Sequence, residues 1–236
     1  TINYRYIWGP LIFCNIIAAA IAHKAMNGKG EPNVRVNEFV ALRKSIEHLK
    51  KSRSLQWVIS ITILSGCVVC FNHYWSIYFK PMVGQINLSW IWVFIYVSMM
   101  LSGMYVRNVK IRPGKEVALI IGSIVISGSG LVLMSYFNGL ILSLTAVAIH
   151  EIGRGIFFPL VDAFVQTRVR SSYRATFGSL QSFIGGLGFP IVLLCMWLAV
   201  SGEPESNKTI DMVWSVCGSI LIVGGIIFWL FRPKEK

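Results

Sequence analysis

The chain has 236 residues, 55% of them hydrophobic and 14% charged, with a mean hydropathy of +0.64 and a formal net charge of +12. This composition excludes a disordered chain and an ordinary water-soluble domain, and is that of an integral membrane protein. The positive charge raises the question of nucleic acid, which its placement along the chain answers against.

Seven apolar spans are read in order, at 6–22, 55–79, 88–106, 117–137, 140–164, 177–200 and 212–231. Each has enough residues to cross ~30 Å of hydrocarbon as a helix. A barrel would alternate apolar and polar residues instead of running continuously apolar. The fold class is therefore an all-α polytopic membrane bundle. It divides into a helix at 1–22, a cytoplasmic linker at 23–54, a six-helix bundle at 55–231 and a tail at 232–236. With alternate loops on alternate sides, 18 of the 22 Lys and Arg fall on one face. Eight are in 23–53, four in 107–115, three in 168–174 and three in 232–236. That asymmetry makes the basic side cytoplasmic, with the first residue outside and the last inside. A plasma membrane, such as the bacterial inner membrane, is the expected location, and nucleic acid is not an expected partner. The odd number of spans, and a start almost directly in 6–22, predict the tail of a longer polypeptide.

Within the linker, Gly28, Gly30 and Pro32 predict irregular chain over 27–37. From Glu38 to Lys51 the residues Phe39, Leu42, Ile46 and Leu49 recur at helical spacing among Arg43, Lys44, Glu47 and Lys50. This predicts a short amphipathic helix on the cytoplasmic membrane surface, tying two halves together. Cys67 and Cys70 form a C-x-x-C inside an apolar span, where packing rather than redox or zinc chemistry is expected. The outer half of 55–79 carries Asn72, His73, Tyr74, Trp75 and Tyr78. Aromatics here form an interfacial belt or, for Asn72, Trp75 or Tyr78, face a substrate. The glycines Gly122, Gly128, Gly130, Gly224 and Gly225 predict close helix approach, and Gly185–Pro190 a kink or local unwinding.

Residues 148–155 (Ala-Ile-His-Glu-Ile-Gly-Arg-Gly) place His150, Glu151 and Arg154 in the middle of the span 140–164. A charged group near the bilayer centre costs roughly 2.5–3.5 kcal/mol on insertion scales, so each must pair or face water. On a helix, Glu151, Phe158 and Asp162 fall within about 20° of one face. Arg154 lies one turn from both His150 and Glu151. Glu151 either faces a central cavity and exchanges protons, or is held ionised by Arg154 as a structural pair. Arg154 in turn has Glu151, an anionic substrate or a neighbouring helix's carbonyls as candidate partners, Glu151 being preferred. Gln181 is a further cavity candidate. His150-Glu151-x-x-Arg154 misses the zinc motif H-E-x-x-H by its second ligand, since a guanidinium does not bind zinc. His23, His48 and His73 supply no ligand set, so no metal, cofactor or enzymatic role is expected.

The stretch 153–162 (Gly-Arg-Gly-Ile-Phe-Phe-Pro-Leu-Val-Asp), followed by 170–176 (Arg-Ser-Ser-Tyr-Arg-Ala-Thr) and 179–182 (Ser-Leu-Gln-Ser), resembles the major facilitator superfamily. The likeness is to its tenth helix, the cytoplasmic turn and the start of its eleventh helix. Of the family's loop pattern after the eighth helix, Gly103, Arg107 and the basic run Lys110–Lys115 remain and the rest is lost. Arg154 mirrors the arginine of an R-x-x-x-G element, with its glycine at Gly155 rather than four residues on. The resemblance implies the C-terminal half of a transporter: the end of a sixth helix, the linker, and six helices. It implies alternating access around a midplane site, with a small-molecule substrate, proton coupling and a missing N-terminal half of the same polypeptide. Asp162, Arg170 and Arg174 take the place of a cytoplasmic gate. No G-x-x-x-x-G-K-[ST] loop for ATP is present. The alternative is a transporter-like membrane sensor or assembly partner that no longer transports.

Overall fold

A computed structural model describes residues 38–108, 111, 114–199 and 207–233. The expected span 6–22 and the irregular stretch 27–37 lie outside the described residues. Among the described residues there are seven helices and no strand: α1 (Glu38–Lys51), α2 (Arg53–Gly84), α3 (Asn87–Asn108), α4 (Glu116–Tyr136), α5 (Leu140–Arg168), α6 (Ser171–Cys195) and α7 (Lys208–Leu230). The six from α2 onward are each long and apolar enough to cross a membrane, the pattern of a multi-pass membrane protein. Most helix ends run past the apolar spans. Helix continues through Lys80 and Arg168, and the Arg168 guanidinium folds back over the Phe164 ring, 3.5 Å from its centroid.

α1 forms where the amphipathic pattern predicts it, but it packs on a neighbouring stripe. Ala41 and Ser45 are buried, while Phe39 and Leu42 are exposed. Small side chains let this face approach closely, and His48 Nε2 lies 3.1 Å from the Arg168 carbonyl, with its ring edge-on to Tyr173. Ser52 then ends α1 and caps α2, accepting from the Leu55 amide at 3.4 Å.

The reversal from α2 to α3 needs almost no loop. Gly84 adopts φ 71° and ψ 168°, a conformation open to glycine and costly for other residues, and helix resumes at once. Midway along α2, Ser65–Val68 tightens into a 3₁₀ turn. α6 breaks at Leu187, between Arg174–Gly186 and a helix that resumes at Gly188, inside the stretch where glycines and Pro190 predict it. The two irregularities touch: a Cβ on Gly66 would lie 2.7 Å from Gly188 Cα. Backbone meets backbone there.

α4 packs along both α5 and α7, and α3 lies against α5. Gly128 and Gly218 oppose each other across the α4–α7 contact, each Cβ falling within 2.7 Å of the other's carbonyl oxygen. Phe71, Phe79, Phe157, Phe164, Phe177 and Trp214 are fully buried. The indole of Trp57 on α2 donates to the Phe228 carbonyl of α7 at 3.0 Å. Trp57→Phe keeps an aromatic ring and leaves that carbonyl without its donor, and is expected to cost about 1 kcal/mol. A shift in the detergent unfolding midpoint reads this; no shift would mean that the carbonyl finds another donor.

Candidate functional site

α5 carries the charged residues because its sequence offers small residues on both sides of them. Gly153 faces the backbone of Ser123 and Ser127 on α4, and Gly155 faces Ser102 and the Met99 carbonyl on α3. Close contact on these flanks leaves His150 and Glu151 fully buried. Arg154 Nη1 donates to Glu151 Oε1 at 2.9 Å and to Asn72 Oδ1 at 3.0 Å, which ties α5 to α2. Glu151 Oε2 and Arg154 Nε are buried without a hydrogen-bond partner.

His150 turns the other way. Its Nδ1 is 3.0 Å from both the Ser127 carbonyl and the Ser127 hydroxyl on α4. A carbonyl only accepts, so the network assigns the hydrogen to Nδ1. Nε2 is buried and unpartnered, and the ring packs 5.0 Å from Phe71. His150 is therefore brought into the α4–α5 contact and not into the Glu151–Arg154 pair.

The remaining sequence candidates separate into three groups. Asp162, Gln166, Arg174 and Gln181 line one cavity of about 420 Å³ between α5 and α6. Arg174 also donates from Nε and Nη2 to the Val169 carbonyl, at 3.3 and 3.2 Å, closing the end of α5. Arg170 is exposed and outside that cavity. Glu151 and Asp162 share a helix direction but not an environment. The first is covered by Arg154, whereas the second is exposed beside the cavity.

In the outer half of α2, Asn72 is exposed and bonded to Arg154, Trp75 is half-buried, and His73 stacks on Phe189 of α6 with the rings 3° from parallel. Tyr78 differs from the substrate-facing placement that its position in the aromatic cluster suggests. It is buried, and its hydroxyl donates to the Phe137 carbonyl at 3.1 Å and lies 3.2 Å from Ser143 Oγ. The short turn between α4 and α5 needs that hydroxyl, so the side chain points into the packing.

Two residues were not among the sequence candidates. Gln166 lies two residues beyond the apolar span 140–164 of α5. Asp211 is one residue outside the apolar span that begins at 212, yet it sits inside α7 with Oδ1 buried and unpartnered, and Trp214, three residues on, has its Nε1 buried and unpartnered as well. An acidic residue one turn into an apolar helix was the available signal. No protein-family model, curated protein or solved structure matches the chain.

Proposed function

We propose that this chain is the C-terminal half of a major-facilitator-like secondary transporter, moving a small solute by alternating access with proton coupling at Glu151. One observation carries the reading: a fully buried carboxylate, paired with a guanidinium, in a helix otherwise apolar enough to cross a membrane. Such groups are costly at membrane depth and are kept where they move ions or substrates.

Exposed polar side chains on the same helices support it. Asn72 and His73 on α2, Asp162 and Gln166 on α5, and Ser179 and Ser182 on α6 are all open. Lipid offers exposed polar groups no hydrogen bonds, so these positions favour water or another protein surface. The second bundle of the proposed transporter answers to both.

The test is uptake of labelled solutes into proteoliposomes containing the full-length protein, driven by an inward proton gradient. Glu151→Gln is expected to abolish gradient-driven accumulation. Unchanged pH-driven uptake in that variant would sink the proton-coupling role.

A further inference from the structure

The guanidinium of Arg154 uses two of its five N–H groups. Nη1 uses both of its hydrogens, on Glu151 and on Asn72. Among the described residues Nη2 has no hydrogen-bond partner, and Nε is buried without one. In a guanidinium the Nε and Nη2 hydrogens point to the same side and run parallel. That side-on fork grips two oxygens of a carboxylate or comparable oxyanion. The Arg154 side chain keeps 13% of its exposure, and Asn72 beside it is open.

Charge then sets a condition. Glu151⁻ and Arg154⁺ together are neutral, and an anion arriving at the fork leaves one net negative charge beside a fully buried carboxylate. A low-dielectric site opposes that excess. One proton from water, taken onto Glu151 Oε2, restores neutrality without breaking any bond that Oε2 makes, because it makes none.

Among the described residues, no other charged side chain bonds to Glu151 or Arg154. His150 on α5 is bonded to α4 through Ser127, and His73 on α2 is stacked on Phe189. The charged residues of the packed helices (Arg53 and Lys80 on α2, Arg107 on α3, Glu116 on α4, Arg174 on α6, Lys208 and Asp211 on α7) lie toward helix ends.

We infer that Arg154 binds the oxyanion of the transported solute through its Nε/Nη2 fork, with one proton taken up on Glu151 for each singly charged anion. This rests on the transport reading of the same site and names its substrate class.

The test uses full-length protein in lipid-free detergent. It is titrated with lactate, benzoate and methanesulfonate, none of which titrates near neutrality, and with sorbitol and choline as uncharged and cationic controls. Tryptophan fluorescence reads binding. At least one anion is expected to bind, with affinity rising about tenfold per unit of acidification over the range where Glu151 is ionised, as one linked proton requires. Glu151→Gln, neutral at every pH, is expected to bind the same anion with no pH dependence. Arg154→Lys keeps the charge without the fork, and is expected to weaken binding by about tenfold or more.

Binding of none of the three anions overturns the inference. So does equal affinity for sorbitol or choline, a flat pH profile in the unmodified protein, or unchanged affinity in Arg154→Lys. Should Arg154→Lys fail to fold, the two pH slopes of the unmodified protein and Glu151→Gln decide. Flux measured in parallel separates the two readings. Anion binding without flux removes transport and leaves the anion site. Proton-driven flux of an uncharged solute, unaffected by Arg154→Lys, removes the anion site and leaves transport.

Discussion

Arg154→Gln is expected to destabilise the protein by about 3–5 kcal/mol, the cost of leaving a buried ion without its partner. Glu151 has no exposed surface, and its one charged partner is Arg154 at 2.9 Å. Removing the guanidinium strands the carboxylate and releases Asn72 as well. The double variant Glu151→Gln/Arg154→Gln carries no charge and two amides able to bond each other, so most of the loss should return. Detergent unfolding midpoints for the two single variants and the double variant form a cycle that isolates the pair. An Arg154→Gln variant within about 1 kcal/mol of the unmodified protein would show that the carboxylate is relieved without the guanidinium, by water or by a proton on Glu151.

Gly130→Leu is expected to have the second large effect, by separating α4 from α5. A Cβ at Gly130 meets the backbone nitrogen of His150, and would lie 2.7 Å from its Cα and 2.8 Å from the Ala146 carbonyl oxygen. These are main-chain atoms, which no rotamer change moves aside. Overpacking alone costs about 1–3 kcal/mol, and parting the helices also breaks the Ser127–His150 hydrogen bonds. Gly122→Leu on the same helix is the control. Nothing lies within 4 Å of its Cβ, and an open site of this kind is expected to stay within about 0.5 kcal/mol. Equal behaviour of the two variants in yield and unfolding midpoint would mean that the α4–α5 contact is loose enough to absorb a side chain.

The spans of α2 to α7 were legible because continuous hydrophobicity over a bilayer's length has few alternatives to a helix. What hydropathy does not encode is where hydrogen bonding stops, so the turn expected between 79 and 88 shrinks to Gly84 and its neighbours. α1 was legible as a helix from its period. Its buried stripe was not, since packing selected the small Ala41 and Ser45 over the larger apolar residues beside them. The break in α6 follows from local glycines and proline. The matching 3₁₀ turn in α2 comes from a contact 122 positions away, between Gly66 and Gly188, and no local pattern announces it.

At the site the same division holds. Glu151 and Arg154 meet at i,i+3 spacing, which sequence displays. Asn72 joins them from another helix, and Tyr78 turns inward because the α4–α5 turn presents a carbonyl to it. Both depend on tertiary placement. Aromatic and polar residues near the end of a span do not carry that information.

The opposed Gly128 and Gly218 have a consequence for how the bundle breathes. In the most apolar stretch of each helix, 56% of α4 is buried inside the protein, against 17% for α3 and for α6. Resistance to local opening follows buried contact, so it is graded across the molecule and not shared evenly. Amides of α4 should exchange with deuterium only in rare openings of the whole bundle. α3 and α6 make up the low end of that scale, and α6 already carries its own break at Leu187.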